Sequence, residues 1–462
     1  MRQTFSYRQK AGTFFAVLLP ILVTQLALVS TGFCDTVMAG HVSEQDLAGV
    51  AVAVNLFFPV FTTCLGVVSG LTPAIAQYNG AGRRQEIVFA VRQGFYWALA
   101  IAVLFVAGGF LAVPPVLRFL DLEPRVAYVA AYYLAAVAAG ILPVFMAAVL
   151  RNFIDALGAT RLTMCITIVT VPVNIIMNYI FIFGAFGVPA FGGIGAGIGT
   201  AIAYFSNMVL NGLVVWRMEP FRSYGIFREI SRPCLAEWRR QLGLGVPIGA
   251  TMFCEASIFS AVGLFMTVYG TGVMAAHQAA LNFSTMVYML PLSVSMALTI
   301  LTGYELGAGR PQDAWRYSRL GRLLSFVFVA TAALILVQFR SAVAALYTND
   351  DFVQRLLQIF LLYAVGMQVA DSINAPLQGT LRGARDVRVT FFLAVLSYWV
   401  IGLPVGWFLA HRVLLTPYGF WIGLITGLLA GAVLLMLRLS AVERRYREKT
   451  EMDKKLANIG KK

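Results

Sequence analysis

The chain has 462 residues, of which 59% are hydrophobic and 12% charged, and its formal net charge is +14. No soluble domain could bury so large an apolar share behind a polar surface, so the composition indicates a protein that folds in a lipid bilayer. Lysine occurs only at Lys10 and from Lys449 onward, which excludes a phosphate-binding loop with its lysine from the body of the chain. HExxH and GxSxG patterns are also missing, so we expect no enzymatic activity.

Apolar segments of about 20 residues, the length that crosses roughly 30 Å of hydrocarbon, recur along the whole chain. In the first half they predict membrane spans at 14–40, 49–77, 87–113, 127–150, 163–184 and 190–216. In the second half they predict spans at 240–269, 275–305, 319–340, 352–379, 389–411 and 417–439. The predicted fold class is therefore an all-α polytopic membrane protein with twelve transmembrane helices.

The second half of the chain repeats the first at a distance of 227 positions. The repeated residues are Pro20, Thr24, Ser30, Asn55, Leu71, Thr72 and Gly80–Arg83, which return as Pro247, Thr251, Ser257, Asn282, Leu298, Thr299 and Gly307–Arg310. Six spans per copy mean that both copies enter the membrane from the same side, so the repeat is parallel and its pseudo-twofold axis follows the membrane normal. We predict an N-terminal six-helix lobe (1–216), a cytoplasmic linker (217–240), a C-terminal six-helix lobe (241–440) and a charged cytoplasmic tail (441–462).

The basic residues predict the orientation of the chain in the membrane. All but five of the 35 Lys and Arg residues fall in the termini or in segments on the same side as the termini. The exceptions are Arg118, Arg125, Arg340, Arg355 and Arg412. Because basic segments stay in the cytoplasm, both termini are predicted to be cytoplasmic. The net positive charge is explained by this bias, and we expect no nucleic-acid partner.

Three acidic residues lie in apolar surroundings inside predicted spans: Asp35, Glu255 and Asp371. An acid at the middle of the bilayer costs roughly 2.5–3.5 kcal/mol on insertion scales, so such residues are expected to bind an ion or a substrate. Each could take a proton, a metal cation or an organic cation. The alternative is that each is paired with a buried donor or lies in headgroup water. No arginine is predicted at mid-span to neutralise them.

Two asparagines, Asn174 and Asn178, are four residues apart in span 5 and therefore share a helix face. Pro172, just before them, permits a kink. Amide oxygens that converge with the Asp35 carboxylate would suit a small hard cation, and the alternative is a polar contact between helices. The glycines that open span 6 indicate close helix packing, as do those in span 12. Thr200 follows the glycines of span 6 and could turn its hydroxyl toward the asparagines.

Five segments resemble motifs of the multidrug and toxic compound extrusion family, in its bacterial NorM-like branch. They are Asp35–Gly40 closing span 1, Asn79–Arg83 after span 2, Ala275–Ser284 opening span 8, Leu381–Gly383 after Asp371, and Tyr398–Pro404 in span 11. The resemblance implies two six-helix lobes that face each other in a V. It also implies outward transport of amphipathic, often cationic compounds against inward sodium or protons.

The resemblance also implies where cations and substrates bind. The family's cation- or proton-binding residues fall on Asp35, Asn174, Asn178, Thr200, Glu255 and Asp371, and a sodium ion would lie at the first three. The candidate residues of the substrate cavity are Asp35, Met38, Gln278, Met367 and Asn374. One position departs from the family pattern: sodium-coupled NorM-like pumps carry a tyrosine one turn before the last acid, where this chain has Met367. A thioether is a poor ligand for a hard cation, which favours a first-lobe sodium site or protons.

The expected partners are amphipathic or cationic small molecules and the lipid bilayer, in a bacterial inner membrane. We expect no cofactor other than the coupling ion, no obligate protein partner, and a monomer. A lipid-linked oligosaccharide flippase of the same superfamily is the nearest alternative, but its anionic cargo calls for basic residues in the cavity, whereas the ionisable residues inside the spans are acidic. A non-transporting receptor or scaffold is a further alternative, which the duplication with acids in both copies argues against.

Overall fold

Helices dominate the structure, a computed structural model that describes residues 6–229, 231–413 and 416–459, with side chains described as far as Met452. Within this part of the chain twelve helices are long and apolar enough to cross a membrane, which confirms the predicted number of spans. They are α1 (Tyr7–Gly40), α2 (Glu44–Gly80), α3 (Arg84–Phe119), α4 (Pro124–Ala156), α5 (Thr160–Phe183), α6 (Gly193–Arg217), α7 (Leu235–Tyr269), α8 (Thr271–Gly307), α9 (Pro311–Tyr347), α10 (Asp351–Gly383), α11 (Val387–Val413) and α12 (Tyr418–Met452). Residues 1–5, 230, 414–415 and 460–462 of the predicted lobes, linker and tail lie outside the described residues.

Several helices extend beyond the apolar runs that predicted them. Helix α1 begins at Tyr7, because Ser6 and Gln9 form a reciprocal capping box in which each side chain accepts the other's backbone N–H, at 3.2 and 3.3 Å. The last helix continues past Met452 to Ile459. A span predicted from hydropathy ends where polar residues begin, whereas a helix ends only where its backbone hydrogen bonds stop.

Helices α2 and α11 are irregular. Helix α2 is interrupted at Gly70, between Glu44–Ser69 and Leu71–Gly80. A Cβ at Gly70 would lie 2.5 Å from the Cα of Gly245, so only glycine allows the backbones of α2 and α7 to approach this closely. Helix α11 contains two π-helical stretches, Leu396–Gly402 and Leu409–Val413. Such π-helical segments are rare and are frequent at functional sites.

The residues group into two compact units. The first contains Leu19–Asn79 and Arg83–Phe253, and the second contains the start of α1 up to Leu18, the turn Gly80–Gly82, and the chain from Cys254 onward. The division therefore falls inside α1 and inside α7, so each of these two helices contributes its beginning to one unit and the rest to the other.

The segment predicted as a linker packs on α3 in the first unit. The fully buried side chain of Gln93 donates to the carbonyl of Arg232 at 2.8 Å. Its Oε1 accepts from the backbone N–H of Cys234 at 2.9 Å and from the indole N–H of Trp238 at 2.8 Å. Arg92 donates to two carbonyl oxygens earlier in the same segment, including that of Ile226 at 2.9 Å. These contacts fix the approach of the chain to the start of α7.

The start of α1 is held in the second unit by a buried ion pair. The ammonium group of Lys10, which is 1% exposed, lies 3.0 Å from Asp313 Oδ1 and 5.2 Å from the centre of the Tyr317 ring. Breaking a buried pair costs about 3–5 kcal/mol because the remaining charge loses its partner. Here Asp313 retains a second contact, with Arg316 at 3.3 Å, so the cost should lie at the lower end of that range.

We expect Lys10→Met to destabilise the protein by about 3 kcal/mol, because Asp313 is then left without its closest positive charge. The measurement is thermal unfolding of the purified protein in detergent. Arg8→Met is the matched control, since Arg8 lies one half-turn earlier and is exposed. If both variants unfold at the wild-type temperature, the ion pair does not contribute to stability.

Candidate functional site

A carboxylate, two amides and a hydroxyl meet in the first unit. The side-chain amide of Asn178 on α5 donates to Asp35 Oδ1 on α1 at 2.5 Å and to Asn174 Oδ1 at 3.2 Å. The hydroxyl of Thr200 on α6 makes a weak contact with Asp35 Oδ2 at 3.5 Å. Both asparagines and Thr200 are buried, and Asp35 is half-buried. The structure thus places the four predicted first-lobe residues together, and we call them the Asp35 cluster.

The local sequence explains why these side chains converge. The two asparagines lie one turn apart on α5, just after Pro172, and so project from one helix face. Helix α6 approaches that face through its glycines. A Cβ at Gly199 would collide with Oδ1 of Asn178 and lie 2.9 Å from the backbone nitrogen of Asn178. The glycine run therefore packs closely, as predicted, and the absence of a side chain at Gly199 leaves the space that the Asn178 amide occupies.

Two tyrosines near the Asp35 cluster were not predicted. Tyr133 on α4 and Tyr204 on α6 both interact electrostatically with Asp35. Tyr204 lies four residues after Thr200, so helical spacing could have identified it. The ring of Phe61 stacks on Tyr204 with centroids 6.0 Å apart. Tyr133 comes from a helix distant in sequence, and no local pattern signals its position.

The Asp35 cluster contains polar atoms that the described residues leave without a partner. Oδ1 of Asn178 and Nδ2 of Asn174 are buried and form no hydrogen bond in the described part of the chain. None of the ion pairs found among the described residues involves Asp35. A carboxylate with amide and hydroxyl oxygens is the donor set that hard cations prefer. These residues therefore fit a sodium ion, and the carboxylate alone fits a proton.

A second polar cluster lies in the second unit around Glu255 on α7. Glu255 Oε1 accepts from the amide of Gln378 on α10 at 2.7 Å and from the hydroxyl of Tyr398 on α11 at 3.3 Å. The amide of Asn374 donates to the Tyr398 oxygen at 3.0 Å. Asp371, also on α10, is buried and interacts electrostatically with Glu255. We call these five residues, with Tyr288 and Arg382, the Glu255 cluster.

An arginine from a helix end, and not from mid-span, belongs to the Glu255 cluster. Arg382 is 9% exposed and donates to Gln378 Oε1 at 3.0 Å. Glu255 and Tyr288 both interact electrostatically with its guanidinium group. The predicted span ended at 379, but α10 continues to Gly383, so Arg382 lies one helical turn beyond Gln378 and on the same face.

The family model for MatE matches the chain twice, at residues 20–180 and 247–408. The chain belongs to the MatE family. The two matches begin 227 positions apart, the same distance as the repeat in the sequence. Together with the NorM relatives described next, this match confirms the resemblance to the multidrug and toxic compound extrusion family and to its NorM-like branch.

Bacterial relatives match the MatE protein over nearly its full length. A probable multidrug resistance protein NorM of Oceanobacillus iheyensis is 44% identical over 96% of this chain and 100% of its own. Proteins of the same name from Bacillus licheniformis and Bacillus subtilis are 46% and 44% identical, over 96% and 97% of this chain and 99% of their own chains.

Solved structures confirm the fold of the MatE protein. A eukaryotic MATE transporter superposes with a TM-score of 0.85 at 19% identity, covering 96% of this chain and 99% of the other. An outward-facing multidrug resistance MATE transporter of the MOP superfamily also gives 0.85, at 17% identity, over 96% of this chain and 100% of its own. At these identities the likeness concerns the fold alone.

The other candidate cavity residues of this MatE protein lie in different surroundings. Asn374 is buried in the Glu255 cluster, and Gln278 is exposed. Met38 is half-buried against the apolar core of the first unit. Met367 is 3% exposed and packs in the apolar core of the second unit. The Met367 side chain thus serves packing, in a position where the family's sodium-coupled members were expected to carry a tyrosine.

Proposed function

We propose that this MatE protein is an antiporter that exports amphipathic organic cations and other toxic compounds in exchange for inward sodium ions or protons. The relatives named probable multidrug resistance proteins support the substrate class. The observation that carries the proposal is the Asp35 carboxylate: it lies on a membrane-spanning helix, it accepts from the buried Asn178 amide, which also contacts Asn174, and it belongs to none of the ion pairs of the described residues. Such a carboxylate favours the uptake of a cation.

The Asp35 cluster can hold a small cation through oxygen atoms. Asp35 supplies the negative charge, and Asn178 Oδ1 is a buried acceptor without a donor among the described residues. Asn174 and Thr200 would add an amide oxygen and a hydroxyl. Since the Asn178 amide donates to Asp35 at 2.5 Å, it also holds the carboxylate in place when no cation is bound. If the coupling ion is a proton, the asparagines orient the carboxylate that receives it.

Exchange requires that the exported compound and the coupling cation favour different conformations of the protein. By linkage, each then lowers the affinity for the other, and alternating access follows from the shift between conformations. An inward monovalent cation gains about 2.3 kcal/mol per 100 mV of membrane potential. This corresponds to about fifty-fold accumulation of the exported compound for each coupled charge.

We propose the bacterial cytoplasmic membrane as the location, with both termini in the cytoplasm, because the basic residues cluster on that side of the predicted spans. The coupling ion is the only cofactor in the proposal. A monomer without nucleic-acid or obligate protein partners is sufficient for it, since both polar clusters are built within one chain.

A lipid-linked oligosaccharide flippase remains the second candidate, and Arg382 is the observation that bears on it. An anionic pyrophosphate cargo needs free basic groups. The guanidinium group of Arg382 instead donates to Gln378 at 3.0 Å, in a cluster that also holds Glu255 and Asp371. The cluster stays acidic on balance, which favours cationic cargo.

Ethidium efflux from proteoliposomes tests the coupling. We expect efflux when an inward sodium gradient is imposed at fixed pH, or when an inward proton gradient is imposed without sodium, and no efflux when neither gradient is present. Efflux driven by sodium would assign a metal ion to the Asp35 cluster. Efflux driven by protons would assign protonation of the carboxylates. Equal ethidium movement in all three conditions, or none in any, would refute coupled antiport.

A further inference from the structure

The Glu255 cluster contains a continuous chain of hydrogen bonds that begins at a buried positive charge. Arg382 donates to Oε1 of Gln378 at 3.0 Å, and Nε2 of the same amide donates to Glu255 at 2.7 Å. An amide has one acceptor end and one donor end. Since Arg382 can only donate, its contact with Oε1 turns the donor end of Gln378 toward Glu255. If the Gln378 amide were reversed, its NH₂ group would face the donor Arg382 and its oxygen would face the acceptor Glu255.

The charges of the cluster can be counted from Glu255 and the charged or phenolic groups that interact electrostatically with it. They come from four helices: Glu255 on α7, Tyr288 on α8, Asp371 and Arg382 on α10, and Tyr398 on α11. With both carboxylates ionised and both tyrosines neutral, the two negative charges are opposed by one positive charge. Among the described residues no arginine pairs with Asp35: its carboxylate accepts from the Asn178 amide, contacts the Thr200 hydroxyl weakly, and interacts electrostatically with Tyr133 and Tyr204.

We propose that Arg382 is a positioning residue and an internal counter-ion of the Glu255 cluster: it orients Gln378 toward Glu255 and leaves the cluster with one net negative charge, so that a single monovalent cation neutralises it. The proposal rests on the proposed cation-coupled antiport. It adds that the number of cations held at the Glu255 cluster is set by Arg382, which does not itself contact the bound cation.

The two roles of Arg382 can be separated by substitution. Arg382→Gln removes the charge but keeps a side chain that can donate to Gln378. Gln378→Leu keeps the charge but removes the amide that joins it to Glu255. Arg382→Lys keeps the charge on a side chain that cannot reproduce the planar guanidinium geometry. Arg388→Gln is the matched control, because Arg388 is an exposed arginine near the start of α11.

The measurement is the number of monovalent cations displaced when purified protein binds tetraphenylphosphonium. Protons are counted by calorimetry in two buffers of different ionisation enthalpy, and sodium is counted by equilibrium dialysis with a radioactive tracer. We expect Arg382→Gln to displace about one more cation than wild type, because one more negative charge must be neutralised. Arg382→Lys, Gln378→Leu and Arg388→Gln should keep the wild-type number. We also expect Gln378→Leu and Arg382→Lys to slow ethidium efflux, with the control unchanged.

The outcomes distinguish this proposal from the one on which it rests. If the wild-type protein displaces neither protons nor sodium, cation-coupled antiport itself fails. If wild type displaces cations and folded Arg382→Gln displaces the same number, the counter-ion role of Arg382 is refuted while antiport stands. Should Arg382→Gln not fold, Arg382→Lys decides: a changed cation count in that variant, which retains the charge, or efflux as fast as that of the control would overturn the proposal. An unchanged count with slowed ethidium efflux would support it.

Discussion

Replacement of Asp35 by asparagine is expected to abolish ethidium efflux while leaving the protein inserted and folded. Asparagine has nearly the shape of the carboxylate but cannot become negative, so the Asp35 cluster loses the only charge among its four residues. A hydrogen bond to a charged group contributes about 1.5–3 kcal/mol, which corresponds to roughly a ten- to hundredfold loss of cation affinity. Efflux from proteoliposomes is the measurement, and size-exclusion chromatography in detergent verifies the fold.

Asp121→Asn is the matched control for this variant, because Asp121 is an exposed acid between α3 and α4 and its φ of 45° is one that asparagine tolerates. The double variant Asp35→Asn/Asn178→Asp exchanges the two side chains, so the contact between these positions again joins one carboxylate and one amide. We expect this variant to recover part of the efflux. Unaltered efflux from Asp35→Asn alone would mean that this carboxylate does not couple transport to a cation.

The substitution Gly199→Ala is expected to impair cation binding at the Asp35 cluster, although Gly199 forms none of the hydrogen bonds of that cluster. In Gly199→Ala the new Cβ meets Oδ1 of Asn178, so either α5 and α6 must separate or the amide must leave Asp35. Overpacking of this kind costs about 1–3 kcal/mol. Because the amide is the closest partner of Asp35, we expect the apparent affinity for the coupling cation to fall about tenfold or more. The dependence of efflux on cation concentration measures it.

Gly212→Ala is the control within the same helix. A Cβ at Gly212 meets no atom within 4 Å, and alanine favours the helix more than glycine does. This variant should therefore keep the wild-type cation affinity and be at least as stable. If Gly199→Ala binds the cation as tightly as Gly212→Ala, the close contact between α6 and Asn178 does not define the site.

The Asp35 cluster shows how much of a membrane site helical periodicity can predict. The four-residue spacing of Asn174 and Asn178 predicts that both side chains lie on one helix face, and the cost of a buried acid identifies Asp35. The glycines of α6 predict close packing of this helix just before Thr200. Each of these signals is local in sequence, or depends only on the expense of a charge in hydrocarbon. The twelve helices are predictable from hydropathy because the apolar runs are also local in sequence.

Contacts between residues that are distant in sequence, and residues at the polar ends of helices, could not be predicted from the sequence. Arg382 was assigned to a polar segment because hydropathy fell after residue 379, yet its helix continues and buries it beside Gln378. Tyr133 interacts electrostatically with Asp35 and comes from a helix about one hundred positions away. The segment that holds Arg232 and Cys234 is predicted only as a linker, because its docking depends on Gln93, a buried amide on another helix.

The reciprocal division of α1 and α7 between the two units bears on how this chain could have arisen. Each copy of the repeat supplies the start of its first helix to the unit built mainly from the other copy. In a half-length ancestor with six helices, the start of the first helix would have had no unit to pack in unless a second molecule provided one. A dimer that exchanges identical elements solves this problem for both molecules at once. Joining the two genes head to tail would then have preserved the exchange within one polypeptide and freed each copy to acquire its own acidic residues.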